Sequence, residues 1–178
     1  LNQIINKLNY QGKGIYLPPK SLKSLKGGML YIPAKNETDI PKVEELTENR
    51  LGLYLTSPGF GLMTLYENEL GVDFSKVDLN YLQRNLSKLL IEDLEILEDF
   101  EINLNWDTIH IKMTGSIFKD ICKKLEESAN ICKSVGCPLC GSIACLLAKT
   151  IGKPLIIEKI DKSSDRKVTE ILYRMIEA

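Results

Sequence analysis

The chain has 178 residues, 44% of them hydrophobic and 26% charged, with 23 Lys and Arg set against 24 Asp and Glu for a formal net charge of −1. A chain of this size and composition buries a real core and is not a disordered polymer. The balanced charge supplies no field to gather nucleic acid, no apolar run approaches the ~20 residues of a membrane span, and Leu1-Asn2-Gln3 lacks the charged-then-apolar start of a signal peptide, so a soluble cytoplasmic protein is expected.

Residues 1–56 read as an N-terminal strand and loop region. Two extended runs, 14–17 and 29–33, are separated by Pro18-Pro19 and Gly27-Gly28, the punctuation of a hairpin with a long loop. Residues 36–50 are polar, with Pro41 opening a short helix. A third extended run, 51–56, ends at Ser57-Pro58, where Ser57 suits an N-cap and Pro58 a first turn. Leu62, Leu65 and Tyr66 then recur at helical spacing as far as Gly71, a natural stop.

Residues 57–178 read as an α+β core, either separate from 1–56 or continuous with it as one domain over 1–178. Asp78 is placed to cap a second helix whose Leu82, Leu86, Leu89 and Leu90 share one face. Phe100, Ile102 and Leu104, and after Asn105-Trp106-Asp107 Ile109, Ile111 and Met113, alternate with polar residues as a hairpin with one buried face does. A third helix is expected over 116–127, with Ile117, Ile121 and Leu125 on one side. Residues 128–134 read as a polar turn. A fourth helix starts at Pro138, with Cys137 in the cap position, and stops at Gly152. Leu155 to Ile160 and Val168 to Ile176 close the chain as a last hairpin. The expected fold class is α+β: antiparallel hairpins forming a sheet with about four helices packed on one face.

The chemically specific segment holds four of the five cysteines, Cys132, Cys137, Cys140 and Cys145, within fourteen residues. An odd count gathered in one place is not a secreted disulfide framework. Three readings stay open. Cys132, Cys137 and Cys140 converge as ligands for a structural zinc, or, by spacing alone, as the first three of a plant-type iron–sulfur cluster. Alternatively Cys137 and Cys140, two residues apart at a helix start with Pro138 between them, form a redox pair in which Cys137 attacks and Cys140 resolves, because a helix N-terminus stabilises a thiolate. The third reading is packing, since cysteine is among the most buried residues. Cys122 and Cys145 read as core residues; Cys145 follows Cys140 by ~500 degrees of helical rotation and points elsewhere.

The other candidates are ordinary. His110, the single histidine, belongs on the polar strand face with Lys112, available to a thiolate as base or ligand if the fold brings the two together. The acidic run Glu92, Asp93, Glu95, Glu98, Asp99 and Glu101 reads as a solvated surface. Trp106 marks a hairpin tip. Gly59-Phe60-Gly61 and residues 136–141 lie before helices but lack the Lys-Ser/Thr ending of a phosphate loop and read as turns.

The order of residues 100–176 (strand pair, helix, cysteine-bearing turn, a helix with Gly141, Ser142, Ala144 and Ala148, then Gly152-Lys153-Pro154-Leu155-Ile156-Ile157-Glu158 and a hairpin) resembles the 4-vinyl-reductase-type ligand-binding domain and its transport-particle-subunit relatives. Residues 57–82 and 136–158 are also similar to uncharacterised archaeal proteins. The first resemblance implies a hydrophobic small molecule held between helices and sheet, in a homodimer. That family's cysteines in the closing hairpin have no counterpart in 161–169, so its metal site does not carry over. Without an acid–base constellation, the reading is of a small-molecule-binding or regulatory module rather than an enzyme. The competing readings are a thiol-disulfide protein and a plain assembly domain, the last because the chain starts at Leu1 rather than Met, as a fragment would.

Overall fold

The computed structural model describes residues 12–19, 29–33, 52–127 and 131–176; the short helix expected at Pro41 and the Gly27-Gly28 punctuation lie outside them. Seven strands, β1 (Ile15–Leu17), β2 (Met29–Pro33), β3 (Gly52–Thr56), β4 (Asp99–Leu104), β5 (Thr108–Thr114), β6 (Leu155–Lys162) and β7 (Val168–Met175), make one antiparallel sheet in the order β3-β2-β1-β6-β7-β5-β4. The fold class is α+β as expected. The N-terminal strands join the rest where β1 meets β6, with Ile15 opposite Ile156 and Tyr16 opposite Leu155.

Alternation along the strands sets the faces. Ile109, Ile111 and Met113 of β5, Phe100 of β4, and Ile171 and Tyr173 of β7 are buried in the main core. The residues between them lie on the other face, where Lys112 pairs with Glu101 at 3.2 Å and His110 with Glu170 at 3.6 Å. An antiparallel sheet with one wet face has this pattern. At the β1 end both faces are covered: Tyr16, Leu30, Ile32 and Leu155 enter the main core, while Ile15, Leu17, Tyr31, Ile156 and Ile176 form a second, smaller cluster.

Among the described residues, four helices and one short one pack on the sheet: α1 (Phe60–Leu70), α2 (Leu79–Lys88), α3 (Lys119–Glu127), α4 (Ile131–Val135) and α5 (Pro138–Ile151). Asp78 caps α2 as read, its carboxylate accepting from the Tyr81 N–H at 2.7 Å. Leu82 and Leu86 of α2 are buried, and the helix runs on as a π-helical turn over Leu89–Asp93 that buries Leu89 and Leu90.

Several expectations are corrected. Helix α1 starts at Phe60 rather than beside Ser57, whose hydroxyl instead accepts from the Gly59 N–H within a tight turn; the buried positions are Met63 and Tyr66, while Leu65 is exposed. The helix expected over 116–127 begins at Lys119; Ile117 in the turn before it and Ile121 on α3 face solvent, while Phe118, Cys122 and Leu125 pack inward. The polar turn expected before Cys137 contains α4, with Ile131, Cys132, Ser134 and Val135 buried. Residues 131–151 also have the length and composition to cross a membrane, contrary to expectation. An 18-residue window of them is 89% buried inside the protein, and the break at Gly136 divides them into α4 and α5, two helices of the core.

Candidate functional site: a thiol cleft at the start of α5

Gly136 has φ +70, the left-handed backbone that ends α4, and its N–H closes that helix on the Cys132 carbonyl at 3.1 Å. The chain then re-enters a helix at once, which makes Cys137 the N-cap of α5 with Pro138 in the first turn. Three buried tyrosines from other elements brace this junction. Tyr16 donates to the Val135 carbonyl, Tyr173 donates to the Cys140 carbonyl at 2.9 Å, and the Tyr66 hydroxyl meets that of Ser142 at 3.2 Å. Burial raises the pKa of all three, Tyr66 to about 12, so they act as fixed neutral donors rather than as acids.

The cap gathers thiols. Cys137 Sγ accepts from the backbone N–H of Cys140 at 3.5 Å, and the two sulfurs lie 3.3 Å apart. That is well beyond a bond, and none of the five cysteines is in a disulfide. The Cys122 and Cys140 thiols both interact with Cys137, the Cys140 sulfur at 3.3 Å. The Cys122 thiol, the Cys140 thiol and the Cys140 and Leu139 N–H groups together hold its pKa well below the ordinary thiol value, outweighing burial. Cys122 and Cys140 are raised in turn, first by donating to Cys137 and then by burial. Among the interacting thiols, the surroundings favour the thiolate of Cys137 and disfavour those of Cys122 and Cys140.

These sulfurs lie beside a narrow cleft that encloses only about 20 Å³, roughly the space of one water, with Met113 and Leu139 as its apolar lining. Its other walls bring Lys119 from the start of α3, Lys162 from the end of β6 and Arg166 from the β6–β7 turn, together with Ser116 and Thr169. Among the described residues no carboxylate lines it.

Of the residues singled out in the sequence, the fold brings together Cys137 and Cys140 and adds Cys122, which had read as simple packing. Cys132 is buried on α4, near enough for its charge to oppose those of Cys122 and Cys140, but it does not line the cleft. Among the described residues no group of three or more His, Cys, Asp or Glu is arranged to hold a metal ion, so the zinc or iron–sulfur reading of Cys132, Cys137 and Cys140 gains nothing from the geometry. Cys145 lies apart, hydrogen-bonded to the Ser57 side chain, and burial pushes its thiol up to about 12. His110 is on the opposite sheet face and serves no thiol. The acidic run is exposed, and Trp106 is 93% exposed at its hairpin tip.

Residues 1–172 match the family described as Domain of unknown function (DUF7982). The chain belongs to this family. Among solved structures it is similar to a trafficking protein particle complex subunit 3 from Naegleria fowleri, described as covalently bound to palmitic acid, at 14% identity and a TM-score of 0.43 over 67% of this chain and 74% of that one. No curated protein matches the sequence.

The cations and tyrosines of the site were not found in the sequence. Lys119, Lys162 and Arg166 stand on three separate elements, and Tyr16, Tyr66 and Tyr173 are spread over the whole chain, so no local pattern links them. The only early signal was Pro138 between two cysteines at a helix start.

Proposed function

We propose that this member of the family is a cytoplasmic regulatory module, not an enzyme, whose Cys137–Cys140 dithiol switches between reduced and disulfide forms. The observation that carries the reading is the 3.3 Å approach of the two sulfurs at a helix N-terminus, where the Cys140 N–H also reaches Cys137 Sγ. A low-pKa thiolate beside a protonated partner is the arrangement in which one sulfur is oxidised and the other resolves it. Reduced cysteines in this number suit a reducing compartment.

The test is redox titration of the intact protein in dithiothreitol buffers, with acid quenching, alkylation under denaturing conditions and peptide mapping. The expected result is one reversible two-electron step that protects Cys137 and Cys140 together. Both residues remaining alkylated at every potential would refute the reading.

A further inference from the structure

Any oxidant of Cys137 and Cys140 meets a limit of size. Cys137 is 1% exposed and Cys140 2%, and the cleft beside them encloses only about 20 Å³, just above the ~10–15 Å³ that one water needs. Neither a small-molecule disulfide nor the disulfide of a partner protein fits such a space. Hydrogen peroxide, with one heavy atom more than water, is the oxidant of a thiolate closest to the size of the cleft. The walls suit it: Ser116 and Thr169 bring hydroxyls beside the sulfurs, the Cys122 thiol adds a third small donor, and apolar Met113 and Leu139 close the remaining space. Exposed Lys119 stands at the mouth, at the start of α3.

Resting on the reading of Cys137 and Cys140 as a dithiol, we propose that its oxidant is hydrogen peroxide, admitted by a cleft of about one water's volume that shuts out larger hydroperoxides and disulfides. The Cys137 thiolate attacks one peroxide oxygen: an S–O bond forms, the O–O bond breaks, and hydroxide leaves and takes a proton from solvent. Cys140 Sγ, 3.3 Å away, then attacks Cys137 Sγ; the S–S bond forms, the S–O bond breaks, and the second oxygen departs with the Cys140 proton as water. The dithiol loses two electrons and the peroxide gains them, so that one disulfide and two waters result.

The experiment exposes the reduced full-length protein to hydrogen peroxide, to cumene hydroperoxide and to glutathione disulfide, follows the joint loss of alkylatable Cys137 and Cys140, and divides each initial rate by that of a free cysteine peptide under the same conditions. Initial rates are the readout because a slow reagent still reaches the same equilibrium. Hydrogen peroxide is expected to be favoured over each bulkier reagent by about tenfold or more, since oxidation of a thiolate follows its accessibility. Lys119→Ala, which shortens an exposed side chain at the mouth and leaves the core in place, should narrow the gap between the two hydroperoxides. With Cys122→Ser and Cys140→Ser combined, so that neither neighbour resolves it, a sulfenic acid should form on Cys137 and be mapped by dimedone added in denaturant. Equal normalised rates for the three oxidants, no reaction with hydrogen peroxide, or a sulfenic acid mapped to a cysteine other than Cys137 would overturn the inference while leaving the dithiol reading intact. Failure of every oxidant to link Cys137 with Cys140 would overturn both.

Discussion

Cys137 acts as a helix cap and as the proton acceptor of a thiol group, and these two roles respond differently to pH. Its folded pKa lies below the unfolded thiol value of about 8.5, so the stability it contributes is fully present above that value and is lost as pH falls through the folded pKa. Cys122 and Cys140, raised in the fold, have the opposite sign: their contribution is present below about 8.5 and lost as pH rises further. Cys137→Ala is therefore expected to destabilise by about 1–3 kcal/mol near pH 8 and by less in acid, as measured by urea unfolding across that range. A cost that did not change with pH would mean that Cys137 is neutral in the fold. The cap itself was legible in the sequence, because Pro138 and the apolar run after it mark a helix start locally. The contribution of Cys122 was not. On α3 the sets Ile117/Ile121/Leu125 and Phe118/Cys122/Leu125 both satisfy helical spacing, and only docking against α5 selects the second.

At the scale of elements, the small residues of α5 are explained by contact with the start of α1. A Cβ on Gly59 would sit 1.9 Å from the backbone N of Ser142, where no side chain can move aside, whereas one on Gly61 would meet nothing within 4 Å. Gly59→Ala is expected to cost about 3 kcal/mol or more by forcing α1 away from α5, and Gly61→Ala to stabilise by a few tenths to about 1 kcal/mol, both read as shifts in melting temperature. Similar effects for the two would show that the helices do not approach this closely. Lys149 fastens the other end of the same pair: its ammonium meets Glu67 of α1 at 2.6 Å and Asp73 at 3.0 Å. Asp73 is held down to about 2, first by the Ser75 N–H and then by Lys149. Its stabilising contribution is thus present above the unfolded value of about 3.9 and disappears as pH falls toward 2. Asp73→Asn should melt lower than the parent at pH 7 and together with it near pH 2; an equal gap at both would remove Asp73 from the acid response. The stripe Gly141, Ser142, Ala144, Ala148 was visible in the sequence, but whether it faces a ligand or a helix depends on Gly59, some eighty residues away.

For the whole molecule, strand periodicity and the two C-terminal hairpins were readable because each is a local pattern. The closure of the sheet was not, since β1 pairs with β6 across about 140 residues and three residues of β1 carry no pattern that names a partner. This closure makes the N-terminal strands part of the thiol site. Tyr16 supplies the bond to the Val135 carbonyl that fixes the end of α4, one residue before Gly136. The same strands bury Tyr16, Leu30 and Ile32 in the main core and Ile15, Leu17 and Tyr31 in the second cluster. At about 2–5 kcal/mol for each large buried side chain, losing six of them costs about 12–30 kcal/mol, comparable to or above the ~5–15 kcal/mol that holds a domain folded. The full chain is therefore expected to unfold in a single cooperative transition, and residues 57–178 expressed alone to lack one, with weak near-ultraviolet circular dichroism and thiols that alkylate as fast as those of an unfolded peptide. A sharp thermal transition in the 57–178 fragment, with Cys137 and Cys140 still protected, would instead make that segment a self-sufficient domain and remove Tyr16 from the support of the site.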